Sequence, residues 1–530
     1  MKKKSSSKKE RKKKEKSHFL LLGGLGIVLV ILLLHIFYFN FDHPIDDAYI
    51  SFRYAKNLIL GNGLVYNPGE HVEGYTNLLW VLLAAPFIFL GFDPAHISQI
   101  FSIILSCLTV FILFFIAKRF TGIIGAFATS LFLVFNSSFV IWTTGGLETS
   151  LFSLLIVLFL FLLFKEKFFL SGFVLSLAYL TRPEGIICFG VALFFLLFKK
   201  NYKGAFSLLL PFILIFFLHL TFRFFYYNDI LPNTFYAKVV PSNLSYQQGI
   251  SYTKWFLKTN FGIFSIFFLF FLFNYIKVFW ALYLLVSLFL FSFYITFVGG
   301  DSFPCFRFYA PLIPLFSLLI GASFKESLYT LKKKAEIASI LPVIVFVFLL
   351  HHTASSKAEE SNQNRDYIPL YEKIEKGRKE IGIWFSKNLP KDTKIAVGPA
   401  GIIPYYTNFY TIDMLGLNDK HIAKQGSKGG ILVGHSKFDS DYVLSKKPDI
   451  IIVGAAELLE GSPNIKRVSD YYSWISKIVP SDNALLTNQK LFEGYRLVGM
   501  KIKEGFFLPL FLRRDSVIIP DGERIVILKD

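Results

Sequence analysis

Two adjacent aspartates are the clearest candidates for chemistry in this sequence. Asp46 and Asp47 open the segment DDAYISFRYAKN, residues 46–57, a few residues after a long apolar run. A carboxylate can act as a general base, and a carboxylate pair can also bind a divalent cation. Asp46, Tyr49 and Arg53 have the spacing of one helical face, so Arg53 is expected to keep Asp46 ionised. Acidic residues also favour the first turn of a helix, so a capping role stays open.

Further charged residues occur in the polar segments between apolar runs. Basic side chains can meet a phosphate through charge-assisted hydrogen bonds as negative charge builds on it. The candidates for this role are Arg53, Arg182, Lys238 and Arg307. The acidic candidates for substrate binding are Glu73, Glu148, Glu184 and Asp301. Ordinary roles stay open, because the arginines can pair with nearby acids and Lys238 can reach lipid headgroups.

The composition indicates a membrane protein. The chain has 530 residues, is 54% hydrophobic and has a mean hydropathy of +0.51. Charged residues make up only 18%, which is low for a soluble chain of this size. Several apolar runs have about the 20 residues that cross a hydrocarbon core. The three cysteines show no disulfide or zinc spacing, and no nucleotide-binding glycine motif occurs.

The basic loops predict a polytopic α-helical topology with about eleven transmembrane helices. Residues 1–17 contain ten Lys or Arg, which indicates a basic cytoplasmic tail rather than a nucleic-acid-binding arm. Short basic loops after later runs are expected on the same side. All basic loops fall on the cytoplasmic side only if one apolar run does not cross the membrane. Residues 75–91, which have polar or helix-breaking residues at both ends, fit this requirement best. The crossing runs are 18–39, 97–117, 121–141, 149–164, 169–181, 184–198, 204–223, 259–274, 277–297, 306–324 and 336–352.

The domain organisation follows from this topology. Residues 18–352 are expected to form the transmembrane domain, and 40–74 is its first outer loop. Residues 355–530 are charged and mixed in composition, which predicts an extracytoplasmic α/β domain. Its predicted elements are a helix over 365–388 and strands over 394–398, 409–415 and 448–454. The predicted location is the cytoplasmic (inner) membrane, with multiple passes and a cytoplasmic N-terminus.

Three oxygen-bearing side chains of this last domain are candidates for acceptor binding. They are Asp413, Asn418 and Asp419, in the segment FYTIDMLGLND. Such groups can coordinate a cation or bind a glycan hydroxyl. They can equally fix their own loop, and the sequence leaves both interpretations open.

Several segments resemble one family of membrane enzymes. The run DDAYISFRYAKNLILGNGLVYNPGEHVEGYTNLLW resembles the first outer loop of membrane glycosyltransferases of the GT-C class. More narrowly, it is similar to the family related to the mycobacterial terminal β-(1→2)-arabinofuranosyltransferase. The further segments that carry the resemblance are TTGGLETSLF, LTRPEG, LPNTFYAK, VGGDSFPCFRFYAPLIP and YTIDMLGLNDKHIA.

The resemblance implies a GT-C-like fold and sugar transfer on the outer face of the membrane. The implied donor is a sugar on a polyprenyl phosphate, and the expected acceptor is a cell-envelope glycan, glycolipid or glycoprotein. An aspartate of the first outer loop is the implied base; Asp46 occupies that place, and Asp47 is its neighbour. The polyprenyl phosphate is a good leaving group, so no general acid is needed. A base on the face of the sugar opposite the phosphate is enough, and this geometry predicts inversion of configuration.

Two other functions are compatible with parts of this pattern. A transporter or flippase of envelope lipids also needs many helices, but the charged residues fall at helix ends on one side and no inverted repeat is visible. A non-catalytic envelope assembly factor would keep the fold without needing the aspartate pair. A divalent cation at that pair is compatible with the predicted chemistry but is not required, since cationic side chains can meet the phosphate. The expected partners are the donor, the acceptor glycan and the lipid bilayer, with no nucleic acid.

Overall fold

The computed structural model describes most of the chain. The described residues are 2–39, 41–238, 242–261, 279–334, 340–355, 367–429, 436–477, 479–516 and 525–528. Helices occupy the described chain up to Ser355, and a sheet domain begins with the helix that starts at Ile368. This is the predicted fold class, a helical membrane protein with a C-terminal α/β domain. The predicted domain boundary adjoins residues 356–366, which lie outside the described residues.

The helical part, called here the membrane domain, contains fourteen described α-helices. Their bounds are α1 Lys2–Phe39, α2 Asp46–Ile59, α3 Leu78–Phe89, α4 Pro94–Phe135, α5 Ser137–Ile141, α6 Thr149–Phe164, α7 Phe168–Thr181, α8 Gly185–Phe198, α9 Tyr202–Tyr227, α10 Asn233–Lys238, α11 Asn243–Phe261, α12 Phe279–Phe297, α13 Ile313–Lys334 and α14 Ile340–Ser355. The basic N-terminal segment is thus continuous with the first apolar helix.

Five helices of the described chain are long and apolar enough to cross a membrane. These spans are Leu20–Tyr38, Pro94–Phe135, Tyr202–Tyr227, Phe279–Phe297 and Ala310–Lys333. Shorter apolar helices are Leu78–Phe89, Thr149–Phe164, Phe168–Thr181, Gly185–Phe198 and Pro342–His352. The predicted run 259–274 falls mostly outside the described residues. The count of eleven crossings and the side of each loop stay predictions.

The predicted run 121–141 consists of two helical segments rather than one. Gly122 has a φ of 74° and places a kink within α4. Glycine adopts positive φ without a side-chain clash. Asn136 then ends α4, and its side chain accepts a hydrogen bond from the Phe139 N–H at the start of α5. Asparagine is a preferred N-cap, so this break has a local sequence cause.

Helix α3 occupies the run that was expected not to cross the membrane. It has 12 residues, from Leu78 to Phe89. At a rise of 1.5 Å per residue it spans about 18 Å, less than the roughly 30 Å of a hydrocarbon core. Helices α7 and α8 have only 14 residues each, however, so length alone does not separate α3 from them.

The C-terminal domain is built around a mixed sheet. Its strands are β1 Lys394–Val397, β2 Tyr410–Asp413, β5 Ile450–Ile452, β6 Leu459–Glu460, β7 Tyr495–Lys503, β8 Phe506–Arg513 and β9 Ile525–Ile527, and a separate pair consists of β3 Ser427–Lys428 and β4 Lys437–Phe438. The order is β2-β1-β5-β8-β7-β9, with β6 on β8. Strand β1 pairs in parallel with β2 and β5, and the other pairs are antiparallel. The three predicted strands and the predicted helix are confirmed.

Helices cover both faces of this sheet. They are α15 Ile368–Asn388, α16 Ile402–Thr407, α17 Lys420–Gln425, α18 Ser440–Ser445, α19 Ile465–Ile475, α20 Pro480–Leu486 and α21 Gln489–Gly494. Ile395 and Val397 pack with α15 on one face, while Ala396 between them packs with α19 on the other. This alternation follows from the two-residue period of a strand.

The carboxyl ends of β1 and β2 lie against the membrane domain. The loop after β2 is held there by Asn418, whose Oδ1 accepts a hydrogen bond of 3.2 Å from the Tyr54 hydroxyl. Asn233 of α10 donates to the carbonyl oxygens of Gly416 and Leu417 at 2.8 and 3.0 Å. Apolar side chains of both domains complete the interface. This shared cluster includes Ile45, Tyr49, Phe52, Ile368, Ile402 and Tyr405.

We expect Gly401→Ala to loosen the contact between the two domains. A Cβ at this position would lie 1.8 Å from the Asp46 carbonyl oxygen, so the backbone of one domain must move. Overpacking of this kind costs about 1–3 kcal/mol. The purified variant should unfold at a lower temperature, and a protease should separate the domains faster than in the unchanged protein.

Gly398→Ala, in the same loop, is the matched control. A Cβ there would lie 3.7 Å from the Gly454 carbonyl oxygen, an ordinary contact. This variant should resemble the unchanged protein in both measurements. Equal behaviour of the two variants would show that close backbone approach at Gly401 does not matter for docking.

Candidate active site

The two adjacent aspartates of α2 have different surroundings. Asp46 is buried, and its carboxylate accepts hydrogen bonds from two backbone N–H groups of the C-terminal domain. Gly401 donates to Oδ2 and Ile402 donates to Oδ1, each at 2.8 Å. Asp46 therefore caps the start of α16 from the other domain, and both of its oxygens are engaged. The cap joins parts of the chain that are 355 residues apart.

A second charged pair lies beside Asp46. Arg378 Nη1 is 3.9 Å from Asp46 Oδ1 and donates to both oxygens of Glu375 at 3.1 and 3.0 Å. Burial raises the pKa of Asp46, while Arg378 and the two N–H groups lower it. Burial is also the largest cause that raises the pKa of Glu375, to about 7. The cation next to Asp46 is thus Arg378, which the sequence patterns did not indicate.

Arg53 does not hold Asp46, contrary to the sequence-based expectation. Its guanidinium donates to the carbonyl oxygens of Tyr66 and Phe409 at 2.7 and 2.8 Å and to the side chains of Asn67 and Thr411. Arg53 is buried and joins the loop after α2 to strand β2. The spacing correctly placed it on the same helix, but tertiary contacts determine its partners.

Asp47 is the more accessible member of the pair. Its side chain is 28% exposed, and its Oδ2 accepts a hydrogen bond of 3.2 Å from Arg307 Nη1. Arg307 also binds Asp301 through two hydrogen bonds of 2.7 and 2.9 Å. Burial disfavours the charged guanidinium, but Asp301 and Asp47 outweigh this and raise the pKa of Arg307. Asp47 is therefore held in place by a permanently charged group and still reaches the surface.

Arg182 adjoins the same group of residues. It contacts Glu184 at 3.1 Å and Glu148 at 3.4 Å. The guanidinium carbons of Arg182 and Arg307 each lie 5.4 Å from the centre of the Phe308 ring. Two arginines thus meet on one aromatic side chain, which favours cations at its face.

Glu148 connects this group to the aspartate helix. It accepts a hydrogen bond of 2.8 Å from Asn77, which also bonds to Ser51 of α2. The structure therefore brings together six of the predicted site residues. They are Asp47, Glu148, Arg182, Glu184, Asp301 and Arg307.

Two other predicted residues lie apart from this group. Glu73, a predicted substrate-binding residue, forms a two-bond ion pair with Arg223 at 2.5 and 3.0 Å. Arg223 lies within the apolar helix α9, and a charge there is itself a sequence signal that was missed. Lys238 ends α10, and no hydrogen bond of its side chain occurs within the described residues; its neighbours 239–241 are not among them.

The three acceptor candidates of the C-terminal domain engage one another and their own loop. Asp413 accepts hydrogen bonds from the backbone N–H groups of Leu415 and Asn418 and from the Asn418 side chain. Burial raises the pKa of Asp413 to about 6. Asp419 caps α17 through the Ile422 N–H. This geometry corresponds to the loop-fixing alternative, and the loop serves the domain interface.

No group of three or more metal-ligating acidic, histidine or cysteine side chains occurs among the described residues. The two adjacent aspartates make different contacts: Asp46 accepts backbone N–H groups, and Asp47 accepts from Arg307. Asp46 in particular has each oxygen engaged by an N–H group. The described residues thus offer no set of ligands for the predicted divalent cation, which stays a prediction.

Comparisons with known proteins bear on the fold. A family model described as a domain of unknown function (DUF8728) matches residues 365–501, within the C-terminal domain. A search of curated proteins finds no match. ArnT from Cupriavidus metallidurans, bound to undecaprenyl phosphate, is similar in structure. The TM-score is 0.53 at 11% identity, over 95% of this chain and 99% of ArnT.

An archaeal structure is similar to nearly the same extent. It is the oligosaccharyltransferase of Archaeoglobus fulgidus, tethered with an acceptor peptide, and it aligns with a TM-score of 0.52 at 10% identity. The alignment covers 96% of this chain and 76% of the archaeal chain. The chain has the GT-C fold. This confirms the class of fold implied by the sequence; the narrower arabinofuranosyltransferase-like family stays a prediction.

We expect Asp46→Asn to weaken domain docking and Asp47→Asn to leave it intact. Asparagine offers one acceptor oxygen, so its NH₂ group would face one of the two N–H donors of the cap. A buried donor without a partner costs about 1–3 kcal/mol. Thermal unfolding and limited proteolysis of the purified variants should show the Asp46 change only. If Asp47→Asn destabilised the protein as much, the assignment of the docking role to Asp46 would be wrong.

Proposed function

We propose that the chain is a membrane glycosyltransferase with Asp47 as its general base. The donor is a sugar on a polyprenyl phosphate, and the acceptor is a hydroxyl of a cell-envelope glycan, glycolipid or glycoprotein. The observation that carries the proposal is the contrast between the aspartates. Asp46 has both oxygens engaged by backbone N–H groups, whereas Asp47 is 28% exposed beside Arg307. A base has to reach its substrate, so the catalytic role passes from Asp46 to its neighbour.

The proposed reaction is a single displacement at the sugar carbon C1. Asp47 takes the proton of the acceptor hydroxyl, whose oxygen attacks C1 on the face opposite the phosphate. The bond between C1 and the phosphate oxygen breaks, and the polyprenyl phosphate leaves with the electron pair. The configuration at C1 is inverted because attack and departure occur on opposite faces.

The basic residues are proposed to receive the leaving phosphate. Arg182 and Arg307 lie near one aromatic ring, and Arg307 contacts Asp47. A phosphate there would share the two guanidinium groups with the acids that they already bind. Charge that builds on the phosphate oxygens is stabilised by donors that are already in place. Lys238 stays a third candidate contact. Arg53 is not proposed for this role, because it lies in the domain interface, where it joins the loop after α2 to strand β2.

The substrates are proposed from the structural neighbours and from the sequence resemblance. The ArnT structure contains undecaprenyl phosphate, and the archaeal oligosaccharyltransferase is tethered with an acceptor peptide. For this chain, a polyprenyl-phosphate donor fits the paired arginines. Arabinofuranose as the transferred sugar rests on the resemblance alone. We further propose that the reaction occurs on the outer face of the cytoplasmic membrane, with the N-terminus inside and the C-terminal domain outside.

Asp47→Asn is expected to reduce transfer by a factor of about 10² or more. Asparagine keeps the shape of the side chain but cannot take the proton. The measurement is sugar transfer by the full chain in nanodiscs, from a panel of polyprenyl-phosphate monosaccharides to an extract of envelope glycolipids. Asp42→Asn is the control, because Asp42 lies in the same segment and is 53% exposed in a pair with Lys376. Near-normal transfer by Asp47→Asn would show that Asp47 is not the general base.

Arg182→Ala and Arg307→Ala are expected to weaken binding of undecaprenyl phosphate. Loss of a charge-assisted hydrogen bond of about 1.5–3 kcal/mol corresponds to roughly ten- to a hundredfold in affinity. Each arginine also neutralises buried acids, so Arg182→Lys and Arg307→Lys serve as variants that keep the charge. Lys376→Ala, which removes an exposed cation, should bind normally. Unchanged binding in all four arginine variants would contradict a phosphate role for this pair.

A further inference from the structure

The C-terminal domain reaches the Asp47 group through one aromatic residue of α15. The ring of Tyr371 lies 5.8 Å from the ring of Phe303. The Phe303 ring in turn lies 4.3 Å from the guanidinium carbon of Arg307, which holds Asp47. Tyr371 is half-buried, so part of its surface is open to a ligand.

The position of Tyr371 on its helix explains why it points to this place. Ile368, one turn earlier, belongs to the apolar cluster between the domains. Glu375, one turn later, lies with Arg378 beside Asp46. Tyr371 thus lies between the docking contact of Asp46 and the charged group around Asp47. Residues three or four apart share a helical face, so this arrangement follows from the sequence of α15.

The chemistry around Tyr371 is that of a polar but aromatic surface. Burial raises its pKa to about 12, and Asp301, Arg378, Glu375 and Arg307 also act on it electrostatically. Charges of both domains therefore lie near this hydroxyl. The hydroxyl makes no hydrogen bond within the described residues. An aromatic body with a polar tip is suited to a ligand that has both an apolar face and hydroxyl groups.

We propose that Tyr371 and Phe303 form the binding face for the acceptor, and that the acceptor is a saccharide. The apolar face of a sugar ring packs on the two aromatic rings, and a sugar hydroxyl bonds to the Tyr371 hydroxyl. A second hydroxyl of the acceptor, the one that attacks the donor, then points to Asp47. The inference rests on the proposed glycosyl transfer and adds the residues that bind the saccharide part of the acceptor. Ligand sites lined by aromatic rings with a few fixed polar groups are the common pattern.

The test is binding of the full chain in nanodiscs to an array of oligosaccharides. The probes are arabinans, mannans, galactans and glucans, with unglycosylated peptides on the same array. The unchanged protein should bind at least one saccharide class. Tyr371→Ala and Phe303→Ala should weaken that binding about tenfold or more, which corresponds to roughly 1.4 kcal/mol. Tyr371→Phe, which keeps the ring and loses only the hydroxyl, should give a smaller but measurable loss.

Two controls distinguish a loss of acceptor binding from a general loss of structure. Tyr367→Ala removes an exposed tyrosine one turn earlier and should leave saccharide binding unchanged. Binding of undecaprenyl phosphate, measured on the same samples, should be unchanged in the Tyr371 and Tyr367 variants and shows that these proteins are folded. No saccharide binding by the unchanged protein, equal binding by Tyr371→Ala, or binding of peptides alone would overturn the inference. Failure of the unchanged protein to bind undecaprenyl phosphate would instead overturn the proposed donor.

Discussion

The carboxylate of Asp46 lies where the membrane helices meet the sheet domain. It accepts hydrogen bonds from the N–H groups of Gly401 and Ile402, at the start of the helix Ile402–Thr407. An ionised carboxylate without partners would be very costly to bury. Two N–H donors and Arg378 at 3.9 Å compensate for that cost only when the domains are together. The contact also fixes the first residue of α2. Because Asp47 is the next residue, its direction depends on the same contact.

The domain interface occupies the edge of the sheet where a ligand would ordinarily be expected. In open sheets with parallel strands, ligands bind outside the carboxyl ends of the strands. Here the loops after β1 and β2 lie instead against α2 and the polar loop that follows it. Gly401 reaches the backbone of Asp46, and Asn418 reaches Tyr54. The edge binds another part of the same chain, and the acceptor face proposed above therefore lies on α15 rather than at these loops.

The sequence was informative where the cause of a feature is local. Hydropathy predicted the helical membrane domain, and strand patterns predicted β1, β2 and β5. The pairs Arg182–Glu184 and Arg307–Asp301, foreseen as ordinary ion pairs, are separated by only two and six residues. The break at Asn136 also has a local cause, although the run 121–141 was predicted as one crossing.

Long-range contacts could not be predicted in the same way. Helical spacing placed Arg53 on the face of Asp46, but its partners lie elsewhere. Two are in the loop after α2, and two are in or beside β2, more than 350 residues away. Arg378 lies in a charged helix whose sequence is typical of a solvated surface, so the sequence did not indicate its contact with Asp46. The division of roles between Asp46 and Asp47 depends on which side chain the second domain covers. Adjacent identical residues carry no local signal for that.

The long separation between Asp46 and the helix that it caps has a consequence during synthesis. Helix α2 emerges from the ribosome early, and the first backbone N–H group that binds Asp46 is made 355 residues later. At roughly 5–20 residues per second, this delay is about 20–70 s. During that interval the nascent helix lacks the contact that fixes the direction of Asp47, the proposed base. Under the proposed function, a chain that ends before Gly401 would therefore lack a positioned base, and sugar transfer would begin only after this part of the polypeptide is made.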